Sequence, residues 1–254
     1  AHTPSPGHST CFADFCSTAV KTLGILSGYG VGVESAMDVI ASCKSLERFH
    51  MIDLDHGHLV IDKVLHTLQN AQQKLEHGEL DPRIEPPMFC NLTHMVLGWI
   101  TPRWSFKGLH LVRTLTHLSL CHRDSTNPFF DLEAWVTEVL QECPPSLLVL
   151  LLPVTVEAYL LSFDAQTYYV ERIRRGEVDS RAVLFFNCQE PIAGASDVGV
   201  FQSAASTMYR SGYAWPFALE HTWIQAEDFI ERRRERLSLQ CNRTSSMLGQ
   251  NRWS

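Results

Sequence analysis

No stretch of this sequence is long and apolar enough to cross a bilayer. The most apolar run, Leu147 to Val156, holds ten residues and is interrupted by Pro153, whereas a helical span needs roughly 20 apolar residues. The first ten residues, AHTPSPGHST, have neither the basic stretch nor the apolar core of a secretory leader. Cysteine is sparse and scattered, with eight in 254 residues and none in C-x-x-C spacing. That excludes a disulfide scaffold and a zinc finger, and the eight are read as reduced thiols of a cytosolic or nuclear protein. Net positive charge is also missing. Twenty-one Lys and Arg stand against 28 Asp and Glu, a formal charge of -7, so a broad face for nucleic acid is not expected. The basic run Arg232-Arg-Arg is interleaved with Glu231 and Glu235 and reads as a solvated helix face.

Signatures of catalysis are missing in the same way. There is no G-x-S-x-G elbow, no H-E-x-x-H and no phosphate loop. Gly28-Tyr-Gly-Val-Gly32 lacks the lysine and spacing of a phosphate loop and reads as a turn. The sequence therefore predicts a non-enzyme with no catalytic residue, no cofactor and no metal. One polar cluster supports an alternative. Asp53-Leu-Asp-His-Gly-His58 holds two Asp and two His within six residues, and a small metal-dependent hydrolase would use Asp55, His56 and His58. Gly57 equally suits a polar turn after a strand.

What the sequence does contain is a repeat. Leu92-Thr-His-Met-Val-Leu97 and Leu115-Thr-His-Leu-Ser-Leu120 read alike and start 23 residues apart; Leu46-Glu-Arg-Phe-His-Met51 starts 46 before the first. Leu147 to Leu152 and Val20 to Ile25 fit the same frame, and Arg181 to Phe186 fits loosely. L-x-x-L-x-L at a period in the twenties is a leucine-rich-repeat strand signature. Alternate side chains of a strand face opposite ways, so Leu118 and Leu120 point inward together while His117 and Ser119 point outward. One such strand cannot bury its apolar face alone, and parallel stacking of equivalent strands supplies the missing core.

The segments between carry helical periodicity. Glu34–Cys43 has Met37, Ile40 and Ala41 on one side, and Val60–Leu75 repeats apolar residues near a 3.6 period. Asp131–Cys143 aligns Leu132, Trp135, Val136, Val139 and Leu140 and is stopped by Pro144-Pro145. Gly78 to Pro87 and Pro191 to Gly199 read as loops. Ala165–Arg175 ends at Gly176, and 222–237 forms an amphipathic helix capped by Thr222. The expected fold is α/β: an irregular leucine-rich-repeat-like solenoid of about five units with parallel strands and outer helices. It spans residues 15–237, between a flexible N-terminus (1–14) and a disordered polar tail (238–254).

The phrases L-T-H-L-x-L at 115–120, C-P-P-S-L at 143–147, R-R-G-E-V-D-S-R at 174–181 and W-I-Q-A-E at 223–227 followed by Arg232-Arg-Arg resemble fungal F-box and leucine-rich-repeat-like proteins. The likeness covers residues 90–237, with a weaker echo in 20–54. It implies a substrate-receptor or adaptor role in ubiquitin ligation. The F-box segment itself is not found in this sequence, and a degenerate family member without activity is a further alternative.

The expected function is protein–protein binding across the exposed strand face. His94 and His117 occupy the same position in adjacent repeats, and Arg48 holds it in an earlier one. With His50, Val96 and Ser119 they form the candidate contact set. Val149 and Leu151 break the polar pattern on that face, which predicts a cover from residues 200–237.

Overall fold

The computed structural model describes residues 20–27, 33–53, 89–100, 106–122, 132–155, 164–188, 200–203 and 219–250, and isolated positions between 63 and 77. The chain divides into two compact units, residues 1–147 and 148–254, where the sequence predicts one domain over 15–237.

The first unit contains β1 (Thr22–Ser27), α1 (Val33–Ser42), β2 (Arg48–Asp53), β3 (His94–Ile100), a short 3-10 turn (Leu109–Leu111), β4 (His117–His122) and α2 (Leu132–Glu142). Its strands are parallel and pair in chain order, with Thr22 beside Arg48, Arg48 beside His94 and His94 beside His117. That is the register set by the repeated leucines. Four tight turns lead into the frame. The N–H of Leu46, Leu92, Leu115 and Leu147 donates to the carbonyl three residues earlier, at 3.4, 3.1, 3.0 and 3.1 Å. All four leucines are buried.

The polar residue before three of these leucines has a reason to be there. Asn91 Nδ2 donates to the Lys44 carbonyl (3.4 Å), Thr114 Oγ1 to the Leu92 carbonyl (2.9 Å) and Ser146 Oγ to the Leu115 carbonyl (2.8 Å). Each turn thus satisfies a backbone acceptor of the turn before it, which a buried carbonyl requires. The helices bury the expected stripes: Met37 and Ile40 on α1; Trp135, Val136 and Val139 on α2.

The second unit contains β5 (Val149–Thr155), α3 (Asp164–Arg175), β6 (Ala182–Cys188), β7 (Val200–Ser203) and α4 (Leu219–Gln250). These strands are parallel too, with Leu150 beside Ala182 and Phe185 beside Val200. The pairing places the β6 frame two residues before the expected start at Arg181, so that Asp179 corresponds to Leu147. An even shift keeps every side chain on its expected face. The helix α4 packs on all three strands. Val149 and Leu151 are fully buried, in keeping with the cover that their apolar pattern demands.

Other expectations need correction too: Arg233, in the run read as a solvated helix face, is buried. The helix starts at Leu219 rather than at a Thr222 cap, and Thr222 is buried inside it. It also continues through 238–250, where a disordered tail was expected. No proline or glycine lies between Leu219 and Leu248 to stop it. Most consequential, the strand face read as exposed is closed. His50 is 7% exposed and His117 6%, while Val96 and Ser119 are fully buried. Parallel sheets bury both faces as a rule, because their crossovers run over each side.

Two of the motifs behind the family resemblance, 174–181 and the Arg232-Arg-Arg run, hold the second unit together. Gly176 ends α3 at φ +74°, a left-handed conformation that favours glycine. Asp179 accepts from Arg181 Nε (2.9 Å), Nη2 (2.8 Å) and backbone N–H (2.7 Å). Burial raises the Asp179 carboxyl, but the Arg181 hydrogen bonds and charge outweigh it and hold the group below its usual range. From α4, the buried Arg233 donates to the carbonyls of Ile173 (3.0 Å), Ser180 (2.5 Å) and Ala182 (3.0 Å). Its guanidinium also lies 5.4 Å from the Phe229 ring centre.

Candidate functional site

The polar face of the first unit is built by its strand entrances. The Lys21 carbonyl accepts the N–H groups of both Glu47 (2.8 Å) and Arg48 (2.9 Å). The Glu47 carbonyl accepts those of Thr93 (2.8 Å) and His94 (3.1 Å), and the Thr93 carbonyl those of Thr116 and His117, each at 2.9 Å. One carbonyl per strand therefore fixes two successive N–H groups of the next. The residue that follows, Arg48, His94 or His117, is thereby set at the same height on the sheet.

The two threonines add a second layer. Thr93 Oγ1 donates to the Glu47 carbonyl at 3.1 Å, and Thr116 Oγ1 to the Thr93 carbonyl at 3.0 Å. A hydroxyl has one proton, so each oxygen then accepts from the next residue's imidazole: His94 Nδ1–H and His117 Nδ1–H, both at 2.8 Å. This network assigns the neutral tautomer with the lone pair on Nε2. Held this way, the rings lie parallel, 4.2 Å between centres and 4° between planes.

The electrostatics follow from that geometry. Burial lowers the His94 pKa to about 3, with further lowering from His117, Arg48 and His50. The His94 ring is therefore neutral at physiological pH. Glu47, next to Arg48 in sequence, has its carboxylate engaged by Lys21 Nζ at 2.7 Å.

Of the six expected contact residues, the structure brings Arg48, His94 and His117 into one row across β2, β3 and β4. It sets His50, Val96 and Ser119 in the next row of the same face. Arg48 and His94 are partly exposed, and the other four are buried. The Ser119 hydroxyl is buried without a hydrogen-bond partner among the described residues. Thr22, exposed and beside Arg48 in register, extends the first row onto β1. Sequence reasoning missed Thr22, and it missed the threonines that orient the histidines, although L-T-H occurs twice.

Asp55, His56 and His58 of the alternative metal site lie outside the described residues, as do the turn at 28–32 and the loops at 78–87 and 191–199. Among the described residues no three His, Cys, Asp or Glu side chains converge as metal ligands, and no helix is long and apolar enough to cross a membrane. Among the described residues, Cys43, Cys90 and Cys143 form no disulfide.

The chain is thus an α/β protein with parallel strands and a basic, histidine-paired row at its strand entrances. No family model, curated protein or solved structure matches it.

Proposed function

We propose that this chain is a leucine-rich-repeat-like, non-enzymatic protein-interaction module. Its contact edge is the row of strand entrances at Thr22, Arg48 and His94. The carrying observation is the in-register stack of His94 on His117, with the same threonine and carbonyl bonds behind both rings. A repeat that fixes equivalent side chains at equivalent heights presents a regular row to a partner. The closed sheet face moves the contact from the whole strand surface to this accessible edge. His50, Val96, His117 and Ser119 become its packed floor.

A photo-crosslinking side chain at position 22 or 48, with position 232 on the second unit as comparison, tests the edge in cells. Specific adducts from 22 and 48 alone support it. Adducts equally strong from 232, or none from the row, overturn it. The family likeness at 115–120, 143–147, 174–181 and 223–234 makes the captured protein a candidate ubiquitination target. Co-purification of the ligase adaptor with the full-length protein would support that role, and its absence under conditions that retain the captured partner would count against it.

A further inference from the structure

We propose that the stacked turns leading into β2 and β4 form a docking site for an acidic, extended segment of a partner protein, with Lys44 and Arg113 as its two cationic contacts. The site rests on the interaction reading but uses other side chains than the Thr22–Arg48–His94 row. Lys44 and Arg113 hold the same place in their turns, two residues before the buried Leu46 and Leu115. The backbone repeats around them. Lys44 N–H donates to the Ser42 carbonyl (3.2 Å) and Arg113 N–H to the Leu111 carbonyl (2.9 Å), and each turn then closes through its leucine N–H. Both side chains are exposed, and neither has a hydrogen bond or ion pair among the described residues. These free cations run against the charge of their unit. Residues 1–147 carry 10 Lys and Arg against 16 Asp and Glu. Yet no Asp or Glu occurs from Pro86 to Arg123, a stretch that holds Arg103, Lys107, Arg113 and Arg123. Glu47, the carboxylate nearest to Lys44 in sequence, is engaged by Lys21 at 2.7 Å.

The spacing selects the ligand. Asn91 Nδ2 donates to the Lys44 carbonyl and Thr114 Oγ1 to the Leu92 carbonyl, so the Leu92 turn lies between the two cation-bearing turns. Lys44 and Arg113 thus stand two rungs apart, about 9–10 Å at the usual strand spacing. An extended chain advances about 3.3 Å per residue, so carboxylates three positions apart match that gap. Lys44 meets one carboxylate as a compact charge on a flexible stem, and Arg113 offers the other its planar fork. Asn91, exposed between them, adds polar surface without charge. A nucleic acid is the poorer ligand. It would bring many phosphates to two cations, and the acidic unit around them repels the remainder. Local positive charge in acidic surroundings favours a short acidic segment and disfavours a basic one.

The test titrates the full chain with a decapeptide that has glutamate at every third position and Gly and Ser between, followed by amide NMR shifts. Shifts should concentrate at residues 43–47, 90–92 and 112–116. An isomer with its glutamates in one block should bind more weakly, and added salt should weaken both. Lys44→Gln and Arg113→Gln should each lower affinity about two- to fivefold, the scale of an exposed ion pair, and the double variant about tenfold. Arg234→Gln, exposed on the second unit, should change nothing. The double reversal Lys44→Glu/Arg113→Glu should reject the glutamate peptide and accept its lysine counterpart, a gain that a misfolded chain could not show. No binding of the glutamate peptide overturns the proposal. Indifference to Lys44 and Arg113 overturns it too, as does an equal loss with Arg234→Gln. An oligonucleotide that binds more tightly than the peptide through the same two residues overturns the assignment to an acidic protein segment. If the peptide fails while position 48 still crosslinks a protein, the row stands and this site falls. If the peptide binds as expected while positions 22 and 48 capture nothing, this site stands and the row falls. If both fail, the interaction reading falls with them.

Discussion

His94 and His117 lie face to face, 4.2 Å apart, each held through Nδ1 by the threonine that precedes it. Two hydroxyls and two backbone carbonyls orient the pair, and burial, with further lowering from the basic groups around it, keeps the His94 ring neutral.

That neutrality makes stability sensitive to acid. His94 has its pKa lowered to about 3 in the folded chain, against roughly 6.5 when unfolded. Between those values the unfolded state binds more protons, so the stabilisation is complete above about pH 6.5 and is lost as pH falls towards 3. Allowing for solvent screening of a partly open ring, urea unfolding should show a loss of about 1 kcal/mol between pH 7 and pH 5. The His94→Gln variant should lose less over the same interval. An equal slope in both proteins would place the sensitivity elsewhere.

Arg233 ties α4 to the turn between α3 and β6. Burial lowers its pKa to about 10, still charged at neutral pH. Replacing it with Met leaves three buried carbonyl contacts unmade and should destabilise the chain by about 2–4 kcal/mol in denaturant unfolding. Gly176→Ala acts on the same junction. Its Cβ would sit 3.0 Å from Arg233 Nε, at φ +74°, and a loss of about 1–2 kcal/mol is expected. Wild-type stability in either variant would contradict the clamp.

The buried Ser119 hydroxyl has the opposite expectation. With no partner to lose, Ser119→Ala should be neutral or stabilising by up to about 1 kcal/mol. Clear destabilisation in a thermal melt would reveal a partner that the described residues do not supply.

Two leucines separate the repeat position from its neighbour. Leu115 is fully buried, whereas Leu148 is 50% exposed. Leu115→Ala should lose about 2–5 kcal/mol and Leu148→Ala no more than about 0.5 kcal/mol. Similar losses at both would mean that the frame reads the wrong residue of each turn as the core position.

The frame is also where the sequence is most legible. Leu46, Leu92 and Leu115 are spaced so that a strand must follow each, and period-two alternation then dictates which side chains share a face. Helix stops at Ser42, Glu142 and Arg175 follow from a turn, a proline pair and a glycine. The β6 frame is misread by two residues because Val183, Phe185 and their neighbours are apolar throughout, and an unbroken apolar strand carries no register. The helix beyond Leu237 is missed because its polar residues resemble a tail, although nothing in that segment breaks a helix.

The candidate row was identifiable as residues but not as an environment. Histidine and serine alternating with leucine read as outward-facing whether they meet water or are buried. The sequence by itself determined which residues of β2, β3 and β4 lie in register, because there the spacing of the leucines and the period of a strand suffice. Tertiary structure decided which of them are open, how Thr93 and Thr116 orient the rings, and that Arg233 reaches the turn at 176–182, because burial and hydrogen bonding depend on segments far apart along the chain.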